Sequence, residues 1–227
     1  EIYTLSLHDA LPISIHVKIK IGGRPLAEDL RRIEAVLALL PSGDHLAADA
    51  MNRYAAADVV AAASALAPYK LSWFEDFCDP LDFETHAQVA RTYGPPLAAG
   101  EALFSMADAR NLVRYSGLRA DRDRLLFDPV HCYGLPEYVR ILAMFESHGW
   151  SRAACLPHGG HLFSLHLAAA LGLGGSEANP HNFQPFGGFA DGALVEKGRA
   201  ALPEAPGIGF ETRAALHTLF RSLSESS

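Results

Sequence analysis

Residues 15–49 read IHVKIKIGGRPLAEDLRRIEAVLALLPSGDHLAAD. The first seven, Ile15 to Ile21, alternate strictly between apolar and polar side chains, the period of a strand. Gly22 and Gly23 end that run. From Leu26 to Leu40 the apolar residues recur at helical spacing, with Glu28 and Asp29 in the first turn, where the helix dipole favours negative charge. Pro41-Ser42-Gly43 stops the helix, and His45 to Asp49 reads as a short apolar strand ending in a carboxylate. Strand, helix, strand with short connections means that the two strands run parallel, with the helix covering one face.

The pattern repeats outward from this unit. Helices are expected over Tyr54–Leu66, Phe83–Arg91, Ser105–Arg114 (Ser105 as N-cap), Leu135–Ser147 and Leu162–Leu171. Strands are expected over 71–75, 96–101, 125–128, 152–157 and 172–177. Counting all seven strands, the fold class is α/β, a (β/α)8 barrel of the TIM type that lacks its first βα unit. An open doubly wound sheet fits less well, because no glycine-rich phosphate fingerprint follows the first strand. The tail from Gly187 is rich in Gly and Pro and is expected to wrap the outside. Residues 1–14, EIYTLSLHDALPIS, show neither period and resemble a translated adapter; they read as a non-native leader, leaving 15–227 as one barrel domain.

Composition narrows the function classes. The 227 residues carry a formal charge of −7 and are 49% hydrophobic, which excludes a disordered chain and argues against a nucleic-acid partner. Three scattered cysteines, Cys78, Cys132 and Cys155, form no CxxC pair, so neither a disulfide framework nor a cysteine zinc site is expected and a reducing cytoplasm is the default. No apolar run is long enough for a membrane span.

In barrels of this type the working groups stand at the C-terminal ends of the strands. Those positions hold Lys20, Asp49, Glu75, Glu101, Asp128, His158 and Glu177, all ionisable, in a chain that is only 20% charged. Asp49, Glu75 and Glu101 follow one another at intervals of 26 residues, one βα unit each. Neighbouring strands then bring three carboxylates to one point, where they repel unless a cation joins them. All-oxygen ligation suits Mg2+. Taken singly, each carboxylate is an ordinary helix cap or loop charge, and Asp49-Ala50-Met51-Asn52 also reads as an Asx turn.

Lys18 and Lys20 share one face of the first strand. Two ammonium groups about 6 Å apart repel by about 3 kcal/mol at an effective dielectric near 20, which lowers the pKa of one of them towards neutrality and makes it a general base. The alternative is an edge strand blunted by lysines. Asp128 and His158 end adjacent strands, so the carboxylate is expected to hold the imidazole as an acid–base dyad. His158, His161 and His166 also suggest a zinc cluster, but no further ligand sits at the right spacing, and His161 and His166 fall on the following helix.

Lys18-Ile19-Lys20, the Asp49/Glu75/Glu101 trio and the Asp128–His158 dyad resemble the barrel domain of the enolase superfamily, mandelate racemase subgroup. Trp73-Phe74-Glu75-Asp76, Asp79-Pro80-Leu81-Asp82 and Pro157-His158-Gly159-Gly160-His161 are similar to the acid-sugar dehydratases, D-tartrate dehydratase among them. The resemblance implies Mg2+ as cofactor and a small acid sugar as substrate, with Lys20 as base, His158 as acid held by Asp128, and Lys18 and Glu177 at the substrate. It implies a hydro-lyase that yields a 2-keto acid, forming a homo-oligomer when full length. The same lysine and histidine also suit a racemase or epimerase. The family's N-terminal capping domain is not found in this sequence, so a catalytically silent fragment is a third reading. A metal hydrolase would need histidines where Lys18 and Lys20 stand.

Overall fold

The computed structural model describes residues 16–178, 184–193, 195–196, 199–203, 205–207 and 209–225. The proposed leader, residues 1–14, lies outside them. Five parallel strands lie side by side in chain order: β1 (Val17–Lys20), β2 (Leu46–Asp49), β3 (Trp73–Glu75), β4 (Leu97–Ala99) and β5 (Arg124–Leu125). The helices between them are α1 (Leu26–Leu37), α2 (Ala56–Leu66), α3 (Phe83–Thr92) and α4 (Met106–Tyr115), and α5 (Leu135–Ser147) and α6 (Leu162–Leu171) follow β5. All four residues of β2 are buried, as expected of a strand covered on both faces. Ile33, Val59, Val89, Leu112 and Ile141 from the helices are fully buried with Leu46, Phe74, Leu97 and Leu125 from the sheet, so the core lies between the two layers.

Local chemistry sets the helix starts. Asp82 caps α3 by accepting from Thr85 N at 3.0 Å. Ser105 caps α4 in a reciprocal box with Asp108, as its position predicts.

The later strands differ from expectation. Over 152–157 the chain forms a 3-10 turn, Arg152–Ala154, whose first residues are held by the Ser151 side chain accepting from Ala153 N. That local bond competes with the ladder, and one parallel bridge, Leu125 to Cys155, remains. Residues 172–177 form no strand either, because Gly172 leaves α6 in the left-handed region. Both segments nevertheless keep their order in the sheet, 155–157 beside β5 and 172–177 beside 155–157. Leu156 N donates to Leu125 O at 2.9 Å, Gly174 N to Cys155 O at 3.1 Å and Glu177 N to Pro157 O at 3.2 Å. Strand β5 is also shorter than read, so Asp128 sits on the loop beyond it.

The tail contains a small antiparallel pair, β6 (Val195–Glu196) with β7 (Arg199–Ala200), and a last helix α7 (Ala214–Glu225). Arg213 ties it down by donating to the carbonyls of Gly187 and Phe189 at 2.7 and 2.8 Å. Among the described residues no helix is long and apolar enough to cross a membrane. The three cysteines are buried and unpaired, and burial pushes each thiol up to about 12.

Candidate active site

The parallel register places the first acidic groups. Lys20 is paired with Asp49 and Asp49 with Glu75 across the ladder, so three ionisable residues stand in one row at the strand ends. Glu101 lies just past the end of β4. One carboxylate oxygen from each of Asp49, Glu75 and Glu101 lies within 4.8 Å of the others, and Asp49 and Glu75 are fully buried.

Both lysines point into this cluster. Lys18 Nζ donates to Glu75 Oε1 at 2.6 Å, forms a short hydrogen bond to Glu177 and lies 3.8 Å from Asp49 Oδ2. Lys20 Nζ donates to Asp49. The edge-blunting alternative for these lysines is thereby set aside. Trp73, two residues before Glu75 on the same strand face, donates its indole N–H to Glu75 Oε2 at 2.6 Å. The backbone N–H of Met51 donates to Asp49 Oδ1 at 2.7 Å.

The electrostatics show which neighbours govern Lys18. Burial opposes the Lys18 charge, but Glu177, Glu75 and Asp49 together outweigh burial and hold its ammonium above the ordinary lysine value. Lysine–lysine repulsion, which predicts a lowered pKa, loses to three carboxylates. The acids show the complementary effect. Burial raises Glu75 to about 8, with Lys18 pulling it down and Asp49 and Glu177 pushing it up. Burial likewise holds Asp76, a fourth carboxylate beside the trio, well above its ordinary value, with Glu101 adding to the shift. The cluster thus sets five carboxyl groups, Asp49, Glu75, Asp76, Glu101 and Glu177, against two lysines, and their crowding disfavours the charged form of the buried ones in the absence of a cation. Buried oxygens with that excess fit a hard divalent cation.

The imidazoles are distributed differently from the expected dyad. His158 Nε2 lies 3.2 Å from Glu101 Oε2, and its Nδ1 is buried with no hydrogen-bond partner among the described residues. Asp128 is instead 3.2 Å from His161 Nε2 and accepts from Ser164 Oγ at 3.1 Å. The cause is local: His161 is the N-cap of α6, not a residue within it, and its Nδ1 accepts from Ser164 N at 3.2 Å, which turns Nε2 towards Asp128. The Asp128–His158 pairing is therefore replaced by Asp128–His161.

Three contributors were given no role by the sequence reading. Trp73 had a usable signal, since residues two apart on a strand share a face. His131 had none; its Nδ1 donates to the Glu101 carbonyl at 3.1 Å and its ring centroid lies 5.7 Å from that of His158. Ser164 is fully buried on α6 and reads as ordinary helix.

Residues 15–216 match a family model described as enolase C-terminal domain-like. The chain belongs to this family. Among curated family members it is 28% identical to the 3,6-anhydro-alpha-L-galactonate cycloisomerase of Streptomyces coelicolor, over 85% of this chain and 51% of that protein. It is also 28% identical to the L-talarate/galactarate dehydratase of Salmonella typhimurium, over 86% of this chain and 46% of that one. Among solved structures, the L-talarate dehydratase of a Polaromonas species, complexed with Mg and L-glucarate, superposes with a TM-score of 0.78 at 26% identity, covering 94% of this chain and 57% of that one. The chain spans about half the length of the curated relatives it matches.

Proposed function

We propose that this chain carries the site of a Mg2+-dependent hydro-lyase acting on an acid sugar. The observation that supports it is the convergence of Asp49, Glu75 and Glu101 with Lys18 and Lys20 beside them and His158 against Glu101. The relatives named for acid-sugar dehydration supply the substrate class, and D-tartrate is the finer candidate that the sequence motifs suggest.

Asp49, Glu75 and Glu101 are the residues that would hold Mg2+. When bound there, the ion supplies positive charge for the substrate carboxylate and for the charge that develops on it during proton removal. Lys20, as the free amine, takes the proton on the carbon next to that carboxylate. Lys18 stays charged, backed by Glu177, and donates hydrogen bonds to the carboxylate oxygens. His158, as imidazolium, gives its proton to the β-hydroxyl, which leaves as water while the electron pair of the broken C–H bond forms the enol. The enol takes up a proton at carbon and becomes a 2-keto acid. General acid–base steps of this kind contribute about 10²–10⁴-fold each.

The flanking of one cluster by Lys20 and by His158 also suits proton exchange without loss of water, as in a racemase or epimerase. One assay separates the readings. The protein is incubated with Mg2+ in deuterated water and offered D-tartrate, L-talarate, galactarate and arabinonate in turn. Dehydration releases a keto acid from at least one of them, and chelation stops it. Deuterium at the α-carbon without keto acid identifies the racemase chemistry. Neither product nor exchange with any of the four overturns the proposal.

A further inference from the structure

The loop Pro157-His158-Gly159-Gly160-His161 carries two histidines with different surroundings. His161 Nδ1 accepts from Ser164 N at 3.2 Å, so the proton of the neutral ring sits on Nε2, which donates to Asp128 Oδ1 at 3.2 Å. Asp128 receives two more bonds, from Val130 N at 2.7 Å and from Ser164 Oγ at 3.1 Å. The carboxylate is buried and held by its own loop and by α6 together.

The His158 loop lies directly on this pair. Gly159 has φ +93°, and a Cβ placed there would stand 3.1 Å from His161 Cδ2 and 3.7 Å from Asp128 Oδ2. The tail closes the other side: Gly188 N donates to Gly160 O at 3.1 Å and Leu162 N to Phe186 O at 3.2 Å. Among the described residues, His158 meets Glu101 through Nε2 and the His131 ring at 5.7 Å between centroids, and its Nδ1 has no hydrogen-bond partner. The position of its ring is thus set by its loop and these two neighbours rather than by a network of hydrogen bonds of its own.

We propose that His161 is a positioning residue for His158: braced by Asp128 and Ser164, it forms the floor that fixes where the His158 ring stands beside Glu101. This inference rests on the reading of His158 as the proton donor. Asp128 then acts on that step through His161, without touching His158.

The test uses ring 15N NMR of histidine-labelled protein together with steady-state kinetics on the panel substrate that the parent turns over fastest. The parent shows His161 protonated on Nε2 and unprotonated on Nδ1. His161→Ala shifts both His158 ring nitrogens and lowers kcat about 10–100-fold, the scale of lost orienting contacts, with KM within about threefold. His161→Asn restores both readouts, because an amide can accept from Ser164 N and donate to Asp128. Ser164→Ala shifts the His158 signals in the same direction by less. If His161→Ala does not fold, Ser164→Ala decides by the same spectra. Unmoved His158 signals in the folded variant, or an Nδ1 proton on His161, overturn the proposal. A parent that releases no keto acid defeats the functional reading instead, and the spectra still judge His161.

Discussion

The two halves of the described barrel hold their functional groups by different means. From Val17 to Ala99 four strands pair in unbroken parallel register, and Lys20, Asp49 and Glu75 stand in adjacent rungs of that ladder. From Arg124 to Glu177 the ladder thins to a two-residue strand, one bridge and single hydrogen bonds, and Asp128, His158 and Glu177 sit on loops. In the first half backbone pairing alone delivers each side chain. In the second, capping bonds and close glycine contacts choose the partners. Backbone pairing is repetitive and readable from spacing, whereas loop contacts depend on which side-chain acceptor is nearest.

The largest expected effect belongs to the ladder half. Lys20→Ala should cost about 10²–10⁴-fold in keto-acid formation while Mg2+ binding persists, because the amine is the proposed base and not a ligand. Normal turnover in this variant would break the role assigned to that strand. His158→Asn tests the loop half on the same scale, with metal binding again retained. A smaller, sharper effect is expected from Gly159→Ala. At φ +93° any L side chain is strained, and a Cβ there would stand 3.1 Å from His161 Cδ2, so the His158 loop or the His161 ring must shift. A loss of about 10–100-fold in kcat with the fold intact is expected by steady-state assay; unchanged kcat would mean that the loop is not held by that contact.

The smallest effect is a pH dependence seated under the ladder half. His86 on α3 is buried, and burial lowers its pKa below the ordinary 6.5, against the pull of the Asp79 carbonyl and the Asp82 and Asp79 charges. The unfolded chain therefore takes up a proton that the native chain refuses. The stability tied to this ring is present above about pH 6.5 and lost as pH falls through the lower native value. Thermal melts between pH 7.5 and 5 should show a steeper decline for the parent than for His86→Leu. Parallel declines would mean that this ring is not the source.

Legibility in the sequence follows the same division. Strand–helix alternation was enough to bring Asp49 and Glu75 together, because parallel register converts spacing into proximity, and Glu101 joins them from the turn beyond β4. It also placed Lys18 and Lys20 on the cluster side of β1. Lys18 keeps the charge that its place at the substrate requires, and the repulsion between two ammonium groups left out the three carboxylates that surround it. The Asp128–His158 pairing was misread. Both histidines of the Pro157–His161 loop are in reach of helix α6, and the one that caps it takes Asp128. Strands expected at 152–157 and 172–177 failed where Ser151 and Gly172 offered the backbone a different conformation.

Calorimetric titration of Mg2+ into the parent and into Asp49→Asn, Glu75→Gln and Glu101→Gln bears most directly on the convergence of these three side chains. One ion per chain in the parent is expected, with affinity falling at least about tenfold in every variant, since each removes one anionic ligand. Binding that survives all three substitutions unchanged, or no binding in a folded parent, would contradict a shared cation site.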